Sequence, residues 1–343
     1  MMSRIAVGVL AAVLMGCGVP GEPLPPLLEI PEPVHDLSAE QVGARLTLRF
    51  TRPQLTTEGT LIRFLDRMEI HGAFLPPDAS PETFAEQARL VATLASAQIP
   101  AEAGQLSYDL PLEASQRGTK AVFAVKAINH REKDAGFSNL ATVEITDLPE
   151  APTRLRAILT EPAIQLSWTP AERSAFGGAA PMPEGYEVYR TDAGSPAPAA
   201  LLATTPSPFY EDTSFAFGAS YTYYVRAFAR RGESTARTPE SSSVEVAAVD
   251  RFPPASPQNL RAVPVPGAVE LAWSPNAETD LAGYHLYRSA GSNFVRVNAV
   301  LLLLPLYRDT NVQAGNEYRY QVKAVDRNGN EGPPSGEASA TAE

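Results

Sequence analysis

The sequence predicts an all-β chain built of tandem sandwiches, and three observations predict it. Short segments such as Ile164-Gln-Leu166-Ser-Trp168 alternate apolar and polar residues with period two, the pattern of a strand with one buried face. Thirty-two prolines among 343 residues argue against long helices and for strands punctuated by turns. The strand-like blocks also recur at a near-constant offset, which identifies repeated domains and, with this period, excludes a helical solenoid.

Near its start the chain carries Arg4, an uncharged stretch from Ile5 to Met15, and Leu14-Met15-Gly16-Cys17. The apolar run falls short of the about 18–20 residues that span a bilayer and reads as a secretory signal over residues 1–16. Leu14-Met15-Gly16-Cys17 resembles the lipobox of bacterial lipoproteins. That resemblance implies a diacylglycerol on the Cys17 thiol, cleavage before it, and acylation of the new amino group, palmitate being a typical chain. Cys17 is the lone cysteine of the chain, and lipid attachment accounts for an odd thiol in a secreted protein. Several acyl chains at about 0.8 kcal/mol per buried methylene anchor firmly where one holds only marginally. Gly18 stands where inner-membrane lipoproteins commonly carry Asp, which resembles an outer-membrane address. The expected location is therefore the bacterial cell envelope, facing the periplasm or the exterior, with the membrane as one partner.

Residues 17–33 follow as a proline-rich spacer, GVPGEPLPPLLEIPEP after the cysteine, with the extended, semi-rigid character of such segments. Three domains are then expected, over 34–147, 150–249 and 253–341. In the last two, Pro152-Thr-Arg-Leu155-Arg-Ala157 recurs as Pro257-Gln-Asn-Leu260-Arg-Ala262, and Ile164 to Pro170 as Val269 to Pro275, both at an offset of 105. Gly185-Tyr-Glu-Val-Tyr-Arg190 recurs as Gly283-Tyr-His-Leu-Tyr-Arg288 at 98. Tyr210-Glu-Asp212-Thr213 and Tyr221-x-Tyr223-x-Val225-x-Ala227 recur at 97, as Tyr307-Arg-Asp309-Thr310 and Tyr318-x-Tyr320-x-Val322-x-Ala324. The offset drops because eighteen residues separate Trp168 from Tyr186 and eleven separate Trp273 from Tyr284, an insertion of the kind loops absorb. Tyr186 and Val188 are expected to face inward, Glu187 and Tyr189 outward.

These blocks resemble fibronectin type III domains, which are immunoglobulin-like sandwiches. The resemblance places Trp168 and Trp273 in the cores and makes Tyr221 and Tyr318 the corner tyrosines, whose hydroxyls bond nearby backbone. In the domain expected over 34–147, Leu46-x-Leu48-x-Phe50 stands for the tryptophan strand, Met68-x-Ile70 for the tyrosine strand and Phe123-x-Val125-x-Ala127 for the sixth. Ala121 fills the corner position, so the corner hydrogen bond is absent there. This domain is also longer, chiefly over Leu75 to Gln105, where Ser80-Pro81-Glu82 marks a short helical turn and Arg89 to Leu94 a strand. The linkers Asp147 to Pro152 and Asp250 to Ala255 carry two prolines each, predicting limited bending and an elongated rod.

Chemistry is sparse. The balance of 39 acidic against 28 basic residues repels phosphate backbones and excludes nucleic acid as an expected partner. His35, His71, His130 and His285 are scattered and lack metal-ligand spacing; Glu69 and His71 share one strand face but stand alone. No nucleophile elbow, phosphate-cradling loop or catalytic cysteine is legible, and no cofactor, metal site or enzymatic activity is expected. Asp326-Arg-Asn-Gly-Asn-Glu331 superficially resembles a calcium loop but lacks its full spacing, and reads as a turn. Arg231-Gly232-Glu233 misses the integrin-binding Arg-Gly-Asp at the acid. The outward Tyr189, Tyr224 and Tyr287 are candidate sugar platforms, with ordinary strand propensity as the plainer explanation. Val300 to Leu304 must leave some leucines outward near an edge, either packed locally or at a contact. The sequence therefore predicts a membrane-anchored, non-catalytic binding or scaffolding rod, with an envelope protein or polysaccharide as partner and the long loop Thr169 to Glu184 as a favoured binding segment. The alternative is a carbohydrate-binding accessory to polysaccharide breakdown.

Overall fold

The computed structural model describes residues 28–80, 83–100 and 104–343. The lipobox with Cys17, the spacer before residue 28, and Pro81-Glu82 of the expected helix start lie outside these residues. The described residues fall into two compact units, one reaching to Thr146 and including Arg231–Thr235, the other comprising Asp147–Arg230 and Ala236–Glu343.

The first unit contains β1 (Ser38–Val42), β2 (Arg45–Thr51), β3 (Arg67–Leu75), β4 (Arg89–Ala95), β5 (Gln105–Pro111), β6 (Lys120–Ile128) and β7 (Ala141–Glu144). They pair antiparallel in two sets, β1-β2-β5 and β4-β3-β6-β7, the three-on-four order of a fibronectin type III sandwich. Leu46, Leu48 and Phe50 on β2, Met68 and Ile70 on β3, and Ala121, Phe123 and Val125 on β6 are all fully buried, as their alternation requires. The extra length before β5 has a structural reason. A helical turn, α1 (Phe84–Gln87), lies over the other side of β3 and β6, and Phe84 packs there with Ala73, Leu75, Val122 and Ala124. Strand β6 is thus covered on both faces, which is why Val122 and Ala124 are as apolar as their neighbours. The described end of the expected spacer is not free chain: Thr57 donates its N–H to the Ile30 carbonyl at 2.9 Å and Glu32 donates to Leu55 at 3.0 Å.

The second unit holds two sandwiches with separate cores. The first is made of β8 (Thr153–Leu159), β9 (Ile164–Thr169), β10 (Gly185–Asp192), β11 (Ala200–Thr205), β12 (Phe209–Asp212), β13 (Ser220–Arg231) and β15 (Val244–Ala247), while β14 (Ser234–Arg237) is divided between the two units after Thr235. β12-β9-β8 form one sheet, and β11-β10-β13 with β15 on β13 the facing layer. The next is made of β16 (Gln258–Val265), β17 (Ala268–Ser274), β18 (Leu281–Ser289), β19 (Val295–Arg296), β20 (Leu306–Asp309), β21 (Glu317–Asp326) and β22 (Ala338–Thr341), as sheets β16-β17-β20 and β19-β18-β21-β22. Trp168 and Trp273 sit in equivalent cores, beside Tyr186, Val188, Tyr223 and Val225 in one and Tyr284, Leu286, Tyr320 and Val322 in the other. Both corners close as expected. Tyr221 accepts the Ala216 N–H at 2.9 Å, and Tyr318 accepts the Gln313 N–H at 3.0 Å. The glycines that open β10 and the tyrosine segment of β18 are dictated by close approach: a Cβ on Gly185 would stand 2.9 Å from the Thr205 carbonyl oxygen, and one on Gly283 2.7 Å from that of Leu302.

Each of these two sandwiches also carries a buried ionic clamp. Asp212, with no exposed surface, accepts from Arg190 at 2.8 Å and from the Tyr223 hydroxyl at 2.7 Å through Oδ2, and from the Ser214 N–H at 2.8 Å through Oδ1. The equivalent Asp309 accepts from Arg288 at 2.8 Å and Tyr320 at 3.1 Å. Each guanidinium also lies over its corner tyrosine ring, 4.9 Å from Tyr221 and 5.2 Å from Tyr318. Aspartate from one sheet is thereby fastened to arginine and tyrosine of the other.

Candidate functional site

Glu69 and His71 project from the same side of β3, and the structure closes them on their neighbours. Glu69 takes Arg67 Nε at 2.9 Å on Oε1 and lies 3.1 Å from His71 Nε2 on Oε2, while Arg67 forks onto Glu132 at 2.8 and 2.6 Å. Burial works to raise the Glu69 pKa, but hydrogen bonds from Arg67 and His71 outweigh it and hold the carboxyl below its usual range. A general base needs an oxygen free for substrate, and both of these are engaged. The His71 ring meets Phe137 edge-on at 5.2 Å.

The outward tyrosines also turn to partners within the fold. Tyr189 and Tyr224 are cross-strand neighbours whose rings stack on each other, 4.8 Å between centroids at 11°. The Tyr189 hydroxyl donates to Glu187 at 2.8 Å, and burial followed by this bond pushes its pKa up to about 12. Glu187 points outward as expected, yet Arg237 covers it at 2.7 Å and leaves it 4 % exposed. Tyr287 donates to Glu331 at 2.6 Å, and Lys323 sits 4.9 Å from its ring. Glu331 is also reached by His285 at 2.9 Å and Lys323 at 3.1 Å. Burial would raise its pKa, but these bonds outweigh it and bring it down to about 2. The sequence does not reveal these networks because each joins residues far apart in the chain.

Asp326 opens a turn, as expected, and accepts from the Asn330 N–H and side-chain amide at 2.8 Å each. The structure adds Asp250 and Asp280 to it, the three carboxylates offering oxygens within 4.8 Å of one another. Three oxygens are about half of what calcium requires, and Asp250 is itself engaged by Phe252 N–H and Asn328. His35, His71, His130 and His285 belong to no metal-ligating group among the described residues. The run Val300 to Leu304 is a loop rather than a strand. Leu302 packs on the core, bridging to Tyr284, while Val300, Leu303 and Leu304 are 79, 79 and 62 % exposed. Arg231-Gly232-Glu233 spans the β13–β14 turn, with Gly232 at φ 55°.

The loop Thr169 to Glu184 contributes to a cleft of about 710 Å³, lined by Pro170, Pro181, Pro183, Pro206, Pro208 and Tyr186 among others. That volume lies in the range of ligand pockets. The prolines come from two loops brought together at one end of the sandwich, and Glu184 on its rim is tied to Arg230 at 2.7 Å.

At the corresponding end of the following sandwich the Tyr284 hydroxyl accepts the Asn276 N–H at 2.9 Å, whereas Tyr186 has no hydrogen-bond partner among the described residues. Tyr284→Phe is therefore expected to lower stability by about 1 kcal/mol and Tyr186→Phe to leave it nearly unchanged, read as shifts of urea midpoint. Equal losses in the two variants would contradict the geometry.

Comparison with known proteins supplies similarities of two kinds, to a curated protein and to solved structures. The chain is 28 % identical over 211 residues to Exoglucanase B of Cellulomonas fimi, a match covering 60 % of this chain and 18 % of that protein. The chain thus spans less than a fifth of the curated relative it matches. The solved FN1–FN3 domains of chicken CNTN1 match at 16 % identity and a TM-score of 0.26, over 91 % of this chain and 99 % of that one. No family model matches the sequence.

Proposed function

We propose that this chain is a non-catalytic binding and spacing protein of the bacterial envelope, anchored through lipid on Cys17 and presenting three fibronectin type III-like sandwiches over 34–147, 150–249 and 253–341. One observation carries the non-catalytic reading: the titratable groups on the sheet faces, Glu69, His71, Glu187 and Glu331, are each held by partners within the fold. Charges closed in this way shape a surface, whereas general acid–base chemistry needs at least one group open to substrate. The lone cysteine in its lipobox-like setting supports the anchor. Metabolic labelling with an alkyne fatty acid tests it. The full-length protein is expected to carry the label and to sediment with membranes, and Cys17→Ser to lose the label by at least tenfold. An unlabelled wild-type protein would refute the anchor.

A second reading, carbohydrate binding in support of polysaccharide breakdown, is favoured by the similarity to a protein named as an exoglucanase. The matched length is comparable with two of the repeats. Retention of the detergent-solubilised protein on cellulose, lost when Tyr189, Tyr224 and Tyr287 become alanine, is the result that would favour it over the first.

A further inference from the structure

Tyr186 and Tyr284 occupy the same place in successive sandwiches, each edge-on to the buried tryptophan at 5.3 and 5.2 Å. Their hydroxyls end differently for a reason visible in the chain. After Trp273 the loop is short, and Asn276 stays over the ring to donate its N–H. After Trp168 the loop is seven residues longer and is drawn aside. Ser174 bridges to Pro149 and donates its hydroxyl to Asp147 at 2.6 Å, while Ala175 donates its N–H to the Leu148 carbonyl at 2.9 Å. Gly177 and Gly178, at φ 89° and 86°, make the return turn that this detour needs.

Tyr186 is left 4 % exposed, without a hydrogen-bond partner among the described residues, and lining the proline cleft. Burial alone raises its pKa; no hydrogen bond contributes. The hydroxyl oxygen keeps access to solvent, so a ligand entering the cleft can reach it. Pyrrolidine rings present partly positive C–H edges, which complement the negative face of an aromatic ring. Of the two charged residues lining the cleft, Glu184 is paired with Arg230 at 2.7 Å, and the exposed Glu172 leaves an acidic group at the rim. Met182, 93 % exposed, adds a flexible thioether of the kind that packs on aromatic edges.

We propose that this cleft binds an aromatic side chain, tryptophan or tyrosine, presented beside a lysine or arginine on a partner peptide, with the Tyr186 hydroxyl bonding the polar tip of that ring. The site goes beyond the envelope function above and does not depend on the lipid at Cys17.

The test uses full-length protein in detergent, labelled with [methyl-13C]methionine, with the Met182 signal assigned by its loss in Met182→Leu. N-acetyl-lysyl-tryptophan amide is expected to shift the Met182 methyl saturably, and Tyr186→Phe to weaken binding about fivefold, the factor one neutral hydrogen bond supplies. The glutamyl-tryptophan and lysyl-alanine analogues are expected to bind at least threefold more weakly. An unmoved Met182 methyl, equal affinity in a Tyr186→Phe protein that melts like wild type, indifference to the lysine, or a larger response to cellotriose would each overturn the proposal. None of these outcomes bears on the fatty-acid label at Cys17, so the two readings fail separately.

Discussion

Replacing Arg190 with leucine is expected to destabilise its sandwich by about 3–5 kcal/mol, the cost of leaving a buried carboxylate without its counter-charge. Asp212 has no exposed surface, and its partner Arg190 is 22 % exposed, so solvent does little to replace the lost cation. Tyr223 and Ser214 would still donate to Asp212, which sets the loss below that of a bare buried ion. Burial acts to raise the Asp212 pKa, and the hydrogen bonds from Ser214, Tyr223 and Arg190 outweigh it, so the folded-state value lies below the unfolded one. The sign follows: the clamp contributes fully above the unfolded carboxylate pKa near ~3.9 and loses its contribution as pH falls through the lower folded value. The penalty of Arg190→Leu should therefore be largest near neutrality and shrink below about pH 4. Adding Asp212→Asn to Arg190→Leu removes the stranded charge and should recover about 2 kcal/mol. Thermal unfolding at pH 7 should show a drop of more than about 12 °C in the affected transition for the single variant. A drop under a few degrees, or no recovery in the double variant, would show that water reaches Asp212.

The clamp shows how far the sequence can be read. Arg190, Asp212 and Tyr223 each sit in a block that repeats as Arg288, Asp309 and Tyr320, so their recurrence is visible in the letters. Their convergence is not, because it joins strands of two different sheets across the core. Period-two alternation puts Trp168 on one face with Ile164 and Leu166, whereas the corner role of Tyr221 and Tyr318 was legible only through the resemblance to fibronectin type III domains, and the strand order came from the structure. What escaped was whatever depends on the outer faces. Alternation assigns Tyr189 and Glu187 outward, but the mutual stacking of Tyr189 with Tyr224 and the cover of Arg237 over Glu187 depend on cross-strand register. Likewise the length excess before β5 was legible as an insertion, while its role as a cap on Val122 and Ala124 required the helix to be seen in place. The loop Thr169 to Glu184 stood out by length and composition. The hydroxyl it uncovers emerges only when Tyr186 is set beside Tyr284.

The second large effect is expected at Trp168. The indole is 6 % exposed and packs edge-on against Tyr186, so Trp168→Ala should cost about 3–5 kcal/mol in lost burial and cavity formation. Its Nε1–H, however, is buried with no hydrogen-bond partner, and so is that of Trp273. An orphaned donor carries a desolvation cost of about 1–3 kcal/mol, which an aromatic ring without the N–H does not incur. Trp168→Phe should accordingly lose only about 1–2 kcal/mol, since the cavity it leaves is offset by removal of that donor. The same asymmetry is expected at Trp273, whose neighbour Tyr284 stands at nearly the same distance and angle. Measured by urea unfolding, a ratio of alanine to phenylalanine losses of two or more at both positions is the expected outcome. If phenylalanine costs as much as alanine, the indole nitrogen has a partner in solution, and the tryptophans hold their sandwiches by a directed bond as well as by bulk.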